Sequence, residues 1–351
     1  MKKTAKPKGS KKFSFMQRYE SSDFITRLIS SAFLLVFLFI YVGLSALYTE
    51  GLRHNRLAHV QAASYLNWVL TMILVGGSTY ELIKALGIKK TGWPLYLAGI
   101  ISGVVLFALP FENHENWAFT KVIHLYDWYH WYIVFLVILL GVVVFAAIPY
   151  FAKGNFTDSW KQSVMLILYE FVVVIGFKGF NQIALSMQFG TDPLPLFTFN
   201  TIIWAWGTII FTDSFAYLGG RKFGKTALAP NVSPKKTWEG SGIGSAVAIV
   251  SGTVYALLFF YLLPDYAPFS YIMEVKVNNK GHAIPGVVLF LLTVLISLAG
   301  QVGDLFFSWY KRVFAIKDFS DLIPGHGGLL DRLDSFLFVF FILYFISLAA
   351  F

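Results

Sequence analysis

Apolar residues fill long unbroken stretches of this chain, and polar residues collect between them. Nine apolar runs stand out, at 25–48, 65–86, 93–110, 131–151, 163–187, 199–218, 242–263, 285–307 and 333–351. Each is about as long as a helix that crosses a bilayer, with 93–110 and 333–351 the shortest. Backbone N–H and C=O groups cannot be left open in lipid, so the runs are predicted to be helices. The expected fold is an all-α integral membrane protein with about nine transmembrane helices.

Composition agrees with that pattern. Of 351 residues, 57% are hydrophobic and only 13% charged, against about 25% charged in a soluble domain. A separate large soluble domain has no room. Cysteine is absent, which excludes disulfides, thiolate metal sites and a cysteine nucleophile. The start, MKKTAKPKGSKK, is basic and polar and does not read as a secretory leader. Residues 1–23 are expected to be a basic, disordered cytosolic tail that sets topology or rests on anionic lipid.

Charge predicts orientation. With the N-terminus in the cytosol, 22 of the 28 Lys and Arg residues fall in cytosolic segments. The outer loops hold only Arg53, Arg56, Lys121, Lys276 and Lys280, and Lys178 lies inside a span. The positive-inside rule then places the C-terminus outside, in a multi-pass protein of the cell (cytoplasmic) membrane. The net charge of +9 faces the cytosol and points to anionic lipid and anionic substrates rather than nucleic acid. Residues 24–162, spans one to four, are apolar with bland loops. Residues 163–351, spans five to nine, carry polar residues into the membrane and two charge-rich loops, 212–240 and 303–333. Both loops fall on the cytosolic side, so the active site is expected on that face.

The densest chemistry lies between Asp304 and Asp334, which holds five carboxylates and four basic side chains. Charge of that density beside a membrane is costly unless it binds something charged. Gln301, Asp304, Ser308 and Lys311 are spaced three, four and three apart, one stripe of a helix. Lys317 and Asp318 follow, then Pro324-Gly325-His326-Gly327-Gly328, where glycine lets backbone amides approach an anion closely. Asp331, Asp334 and Ser335 open the last span. Asp331 alone reads equally well as a helix N-cap. Beside Asp304 it reads as half of a pair that would take a hard cation, since Mg²⁺ prefers carboxylate, water and phosphate oxygens.

The other loop contains GGRKFGKT at 219–226, a literal match to the phosphate-binding pattern of P-loop nucleotidases. A membrane span precedes it and Pro230 and Pro234 follow, so the strand-to-helix context is missing and that reading is rejected. Arg221 and Ser233-Pro234-Lys235-Lys236-Thr237 still supply cations and hydroxyls at the surface. Lys235 and Lys236, held ahead of span seven by a short Ser-Pro turn, are the expected phosphate ligands, rather than Lys225. Gly240-x-Gly242-x-Gly244 reads as close helix packing. Within the spans, Glu81, Glu170 and Lys178 stand out. Glu170 and Lys178 share a helix face, so Lys178 either neutralises Glu170 or reaches a lipid phosphate. Gly176 and Gly179 suggest room for a ligand there.

These residues resemble a known signature. Ser308-x-x-Lys311-Arg312-x4-Lys317-Asp318-x-Ser320-x2-Ile323-Pro324-x-His326-Gly327-Gly328-Leu329-x-Asp331-Arg332-Leu333-Asp334 is similar to that of phosphatidate cytidylyltransferases, or CDP-diacylglycerol synthases. The segment from Asp213-x-x-Ala216-Tyr217 to Glu239-Gly240 resembles the same family. Tyr310 departs from its usual aliphatic residue or Phe, and outer loops 111–130 and 264–283 are longer than the resemblance explains. The resemblance implies transfer of CMP from CTP to phosphatidate, giving CDP-diacylglycerol and pyrophosphate. It implies Mg²⁺, with Asp304 and Asp331 as its ligands. On this reading Lys311, Asp304, Asp331, Ser308 and His326 are catalytic. Asp213, Arg221, Ser233, Lys235, Lys236, Arg312, Lys317, Asp318, Arg332, Asp334 and Lys178 bind substrate. A CTP-dependent polyprenol or phytol kinase, with His326 or Asp318 as base, and an ion-coupled transporter are the alternatives. A homodimer stays open.

Overall fold

In a computed structural model the protein is described at residues 35–88, 92–109, 131–154, 156–185, 187–188, 194–269, 283–323 and 327–350. The tail at 1–23, loop 111–130 and residues Pro324, Gly325 and His326 lie outside these. Each apolar run meets a helix. They are α1 (Leu35–Arg53), α2 (Leu57–Lys84), α3 (Trp93–Ala108), α4 (Trp131–Lys153) and α5 (Phe156–Leu185), then α6 (Phe199–Phe223), α7 (Trp238–Leu262), α8 (Ala283–Val313) and α9 (Leu330–Ala350). Among the described residues, six helices are long and apolar enough to cross a membrane: α1, α2, α4, α5, α7 and α8. This is an all-α, multi-pass membrane protein with two short hairpins, β1 (Met187–Gln188) with β2 (Leu194–Pro195) and β3 (Ala227–Ala229) with β4 (Ser233–Thr237).

The helix at the centre is α5. In its apolar window 78% is buried, against 22% in α4 and in α7. It packs on α9, α4 and α2. Small residues permit the closest approach. A Cβ at Gly176 would lie 2.5 Å from Leu337 O, and one at Gly179 would meet Phe340. The space beside these two glycines is therefore filled by the α9 backbone, which corrects the expectation of a ligand there.

The pair α6 and α7 packs by the same device. Gly240, Gly244, Ala248, Gly252 and Ala256 recur every fourth residue on the buried face of α7. A Cβ at Gly240 would stand 2.6 Å from Ala216 O, whereas one at Gly242 would meet nothing within 4 Å. Only two of the three glycines in the Gly-x-Gly-x-Gly run serve packing. A polar seam joins α6, α7 and α8: Thr212 Oγ1 and Ser297 Oγ are 2.9 Å apart, and Gln301 Nε2 donates to Ser245 Oγ at 2.7 Å.

Several helices outrun their apolar segments. Despite Gly219 and Gly220, α6 continues past Leu218 to Phe223 and stops at Gly224. The P-loop-like stretch is thus largely helix. Loop 212–240 consists of two helix ends and the β3–β4 hairpin, and loop 303–333 reduces to 314–329 because α8 runs on to Val313.

Candidate active site

The two charged segments meet at one end of the bundle. The bridge is Lys236 at the end of β4, whose Nζ lies 2.5 Å from Asp304 Oδ2 on α8. Arg312 Nε adds a second tie, donating to Val232 O at 2.9 Å. Asp304 Oδ1 accepts from Ser308 Oγ at 3.2 Å, one turn along, as the helical stripe predicts. Asp213 on α6 lies within electrostatic reach of Asp304 and Lys236. Asp334 on α9 lies within reach of Asp304, Lys311 and Asp213. Three helices and a hairpin thus converge three carboxylates and two ammoniums.

Beside this cluster, Lys311 Nζ is 2.7 Å from Asp331 Oδ1, and that carboxylate is 5% exposed. Its other oxygen, Oδ2, accepts from Phe319 N at 2.8 Å and Gly328 N at 2.9 Å. Both oxygens of Asp331 are engaged, so it folds the loop onto the first turn of α9; it lies inside that turn and accepts from amides that precede the helix, so it is not the N-cap of its other reading. Gly327 has φ +83°, and a Cβ there would stand 2.9 Å from Asp331 Oδ2. The two glycines do let amides approach an anion, but the anion is the protein's own carboxylate.

The basic hairpin divides its lysines. Lys236 is half-buried in its ion pair, whereas Lys235 and Lys225 are exposed. Glu239 Oε2 accepts from the backbone N–H of Lys225 at 3.1 Å and of Thr226 at 3.2 Å. Those amides would be the phosphate cradle of a P-loop, and a carboxylate already holds them. Arg221, Lys317, Asp318 and Arg332 are exposed around the cluster, and Ser233 begins β4. His326 lies outside the described residues. Lys178 is not brought to the cluster: its Nζ donates to Leu109 O. It sits between Gly176 and Gly179, whose neighbours Leu337 and Phe340 lie on the order of 10 Å past Asp331 along α9. Glu170 accepts from Thr79 Oγ1 at 2.7 Å, so the two charged residues hold different partners.

The comparisons with known proteins decide the family. A family model described as "Cytidylyltransferase family" matches residues 54–349, most of the chain. The chain belongs to the cytidylyltransferase family. Among curated relatives, a phosphatidate cytidylyltransferase of Brucella abortus biovar 1 (strain 9-941) is 37% identical over 168 residues, 48% of this chain and 53% of the relative. One of Rickettsia typhi (strain ATCC VR-144 / Wilmington) is 32% identical over 238 residues, 68% of this chain and 86% of the relative. One of Bacillus subtilis (strain 168) is 34% identical over 208 residues, 59% and 66% of the two chains. The chain thus spans about half the length of the Brucella relative and most of the Rickettsia one.

Two residues of the chain gain roles that local spacing does not reveal. Tyr310, the departure from the signature, is fully buried, and its Oη donates to Leu82 O at 2.9 Å. It ties α8 to α2. Glu81 on α2 accepts from the backbone N–H of Leu329 and of Leu330, each at 2.8 Å, and from Ser320 Oγ. Its only signal in the sequence is a carboxylate inside an apolar run.

Proposed function

We propose that this protein transfers CMP from CTP to phosphatidate, giving CDP-diacylglycerol and pyrophosphate. The observation that carries the reading is the Lys236–Asp304 pair, 2.5 Å apart, beside Lys311, in a chain similar to named phosphatidate cytidylyltransferases. A phosphatidate phosphate oxygen attacks the α-phosphorus of CTP. The bond from that phosphorus to the oxygen bridging to the β-phosphorus breaks, and pyrophosphate departs with that oxygen. The lipid phosphate is already ionised at neutral pH, so no strong general base is needed. Transfer of this type depends on positioning and charge neutralisation rather than on covalent help.

Lys236 and Lys311 supply the fixed cations. Each faces a carboxylate, and an incoming triphosphate competes for the same ammonium. Arg221, Lys235, Lys317 and Arg332 surround them and raise the local concentration of the polyanion. Asp304 is the carboxylate we assign to Mg²⁺, with one oxygen beside Lys236 and the other accepting from Ser308; Asp331 fits less well, because Lys311 and two amides hold its oxygens. Among the described residues no three such side chains form a metal site by themselves. Mg²⁺ takes one or two carboxylates and completes its shell with water and phosphate. When bound, it would neutralise the nucleotide phosphates.

Orientation follows from charge. We place the cluster on the cytosolic face, where CTP is available, with nine spans and phosphatidate arriving from the adjoining leaflet. The test is purified protein in detergent with phosphatidate, labelled CTP and Mg²⁺. A CMP-bearing lipid and stoichiometric pyrophosphate are expected. Label transferred from the γ-phosphate of CTP to a lipid alcohol would replace this reading with a kinase.

A further inference from the structure

Loop 314–329 carries much of the family signature, and two carboxylates from outside it hold it. Asp331 grips it from the first turn of α9, through Phe319 N and Gly328 N, and pairs with Lys311 on α8. Glu81 grips it from α2, and the bond to Leu329 joins residues 248 apart in sequence. Glu81 is 1% exposed. A carboxylate so deeply buried is costly unless its lone pairs are filled. Here three donors fill them: Leu329 N, Leu330 N and Ser320 Oγ. The amides lie at the start of α9, where a helix has unpaired N–H groups and the positive end of its dipole. A cap normally comes from the residue just before the helix; here another helix supplies it.

Gly328 makes the reach possible. A Cβ there would stand 2.6 and 2.7 Å from the two oxygens of Glu81. Nearby, the Tyr310 hydroxyl bonds Leu82 O, and Leu329 packs against Gly77. The contacts of α2 with α8 and with the loop thus lie around one carboxylate.

We propose that Glu81 is a positioning residue for the transfer reaction: by holding Ser320, Leu329 and Leu330 it fixes Asp331, and through Asp331 the ammonium of Lys311. This rests on the cytidylyltransfer reading of the site. A charge held in place contributes more to a transition state than one that must reorganise. Loosening the loop therefore lowers kcat while leaving ground-state binding nearly intact.

The test uses the full chain. Glu81→Gln puts an NH₂ donor where an oxygen accepted, so at least one helix amide loses its partner. Expected are a kcat about 10-fold lower or more, and KM for CTP and phosphatidate within about 2-fold of wild type. Amide hydrogen exchange at Leu329 and Leu330 should rise in the same variant, with no substrate present. In a Lys311→Met background the further loss from Glu81→Gln should shrink to about 2-fold, because the group it positions is gone. Ser320→Ala, which removes one donor and spares Glu81, should lower kcat in the same direction by a few-fold; it decides the matter if Glu81→Gln does not fold. Unchanged kcat, unchanged exchange in an active variant, or an undiminished loss in the Lys311→Met background overturns the proposal. A wild-type protein that makes no CMP-bearing lipid overturns the reading of the site instead, and with it the role in transfer. The exchange data then report separately whether Glu81 holds the loop.

Discussion

Whether a lysine in this site is fixed or free decides what it can contribute. Lys236 is half-buried and 2.5 Å from Asp304. Lys225 is exposed, and it is its backbone, not its ammonium, that Glu239 holds. We expect Lys236→Met to lower the initial rate by on the order of 10²-fold at saturating phosphatidate and Mg²⁺, the scale of losing one preorganised charge contact. Lys225→Met should cost only a few-fold, through weaker attraction of the nucleotide. A dead Lys225→Met beside a healthy Lys236→Met would return the phosphate cradle to 219–226. Lys178 illustrates the opposite case. Its sequence neighbours suggested a substrate pocket, but in the fold those glycines receive the α9 backbone. Whether a glycine leaves space or lets a partner helix fill it cannot be read along one chain segment.

Between helices, small residues carry the geometry on which the site depends. Asp213 sits on α6 and Lys236 immediately before α7, so their separation follows the α6–α7 contact. A Cβ at Gly244 would stand 2.7 Å from the Ala216 Cβ, while Gly242, two residues away, has open space. Gly244→Ala should destabilise by about 1–3 kcal/mol, the cost of overpacking a tight contact. Gly242→Ala should be neutral or slightly stabilising, since alanine is the better helix former. Thermal melts in detergent compare the two, and equal shifts would mean that the stripe does not hold the pair. Helix ends at this scale were set by chemistry the hydropathy runs do not record. The α6 helix extends to Phe223, and Thr237 caps α7, accepting from Gly240 N at 3.1 Å. Polar residues at a membrane surface are as compatible with helix as with loop, so the apolar pattern stops before the helix does.

At the scale of the molecule, the bundle has two chemically different ends. At one, Lys236–Asp304, Lys311–Asp331 and Arg312 gather around the two charged segments. At the other, the Arg53 guanidinium lies 4.6 Å over the Tyr266 ring, and Asn200 Nδ2 donates to Tyr266 O at 2.9 Å. If the first end is cytosolic, single cysteines at Lys225 and Asp321 should resist an impermeant thiol reagent in intact cells. Cysteines at Asn55 and Asp265 should label. Labelling at Lys225 from outside would invert the orientation. Sequence by itself determined the helical membrane class, the position of each apolar helix and the Asp304–Ser308 stripe. All of these follow from local periodicity and from the inability of lipid to accept open backbone groups. The match to 54–349 agrees with the resemblance carried by 308–334. Only tertiary structure decided which lysine meets which carboxylate, that α9 fills the space beside Gly176 and Gly179, and that Glu81 closes the loop at Leu329 and Leu330. Those partners are brought together by packing between helices distant in sequence, and no local spacing encodes a bond between residues 248 apart.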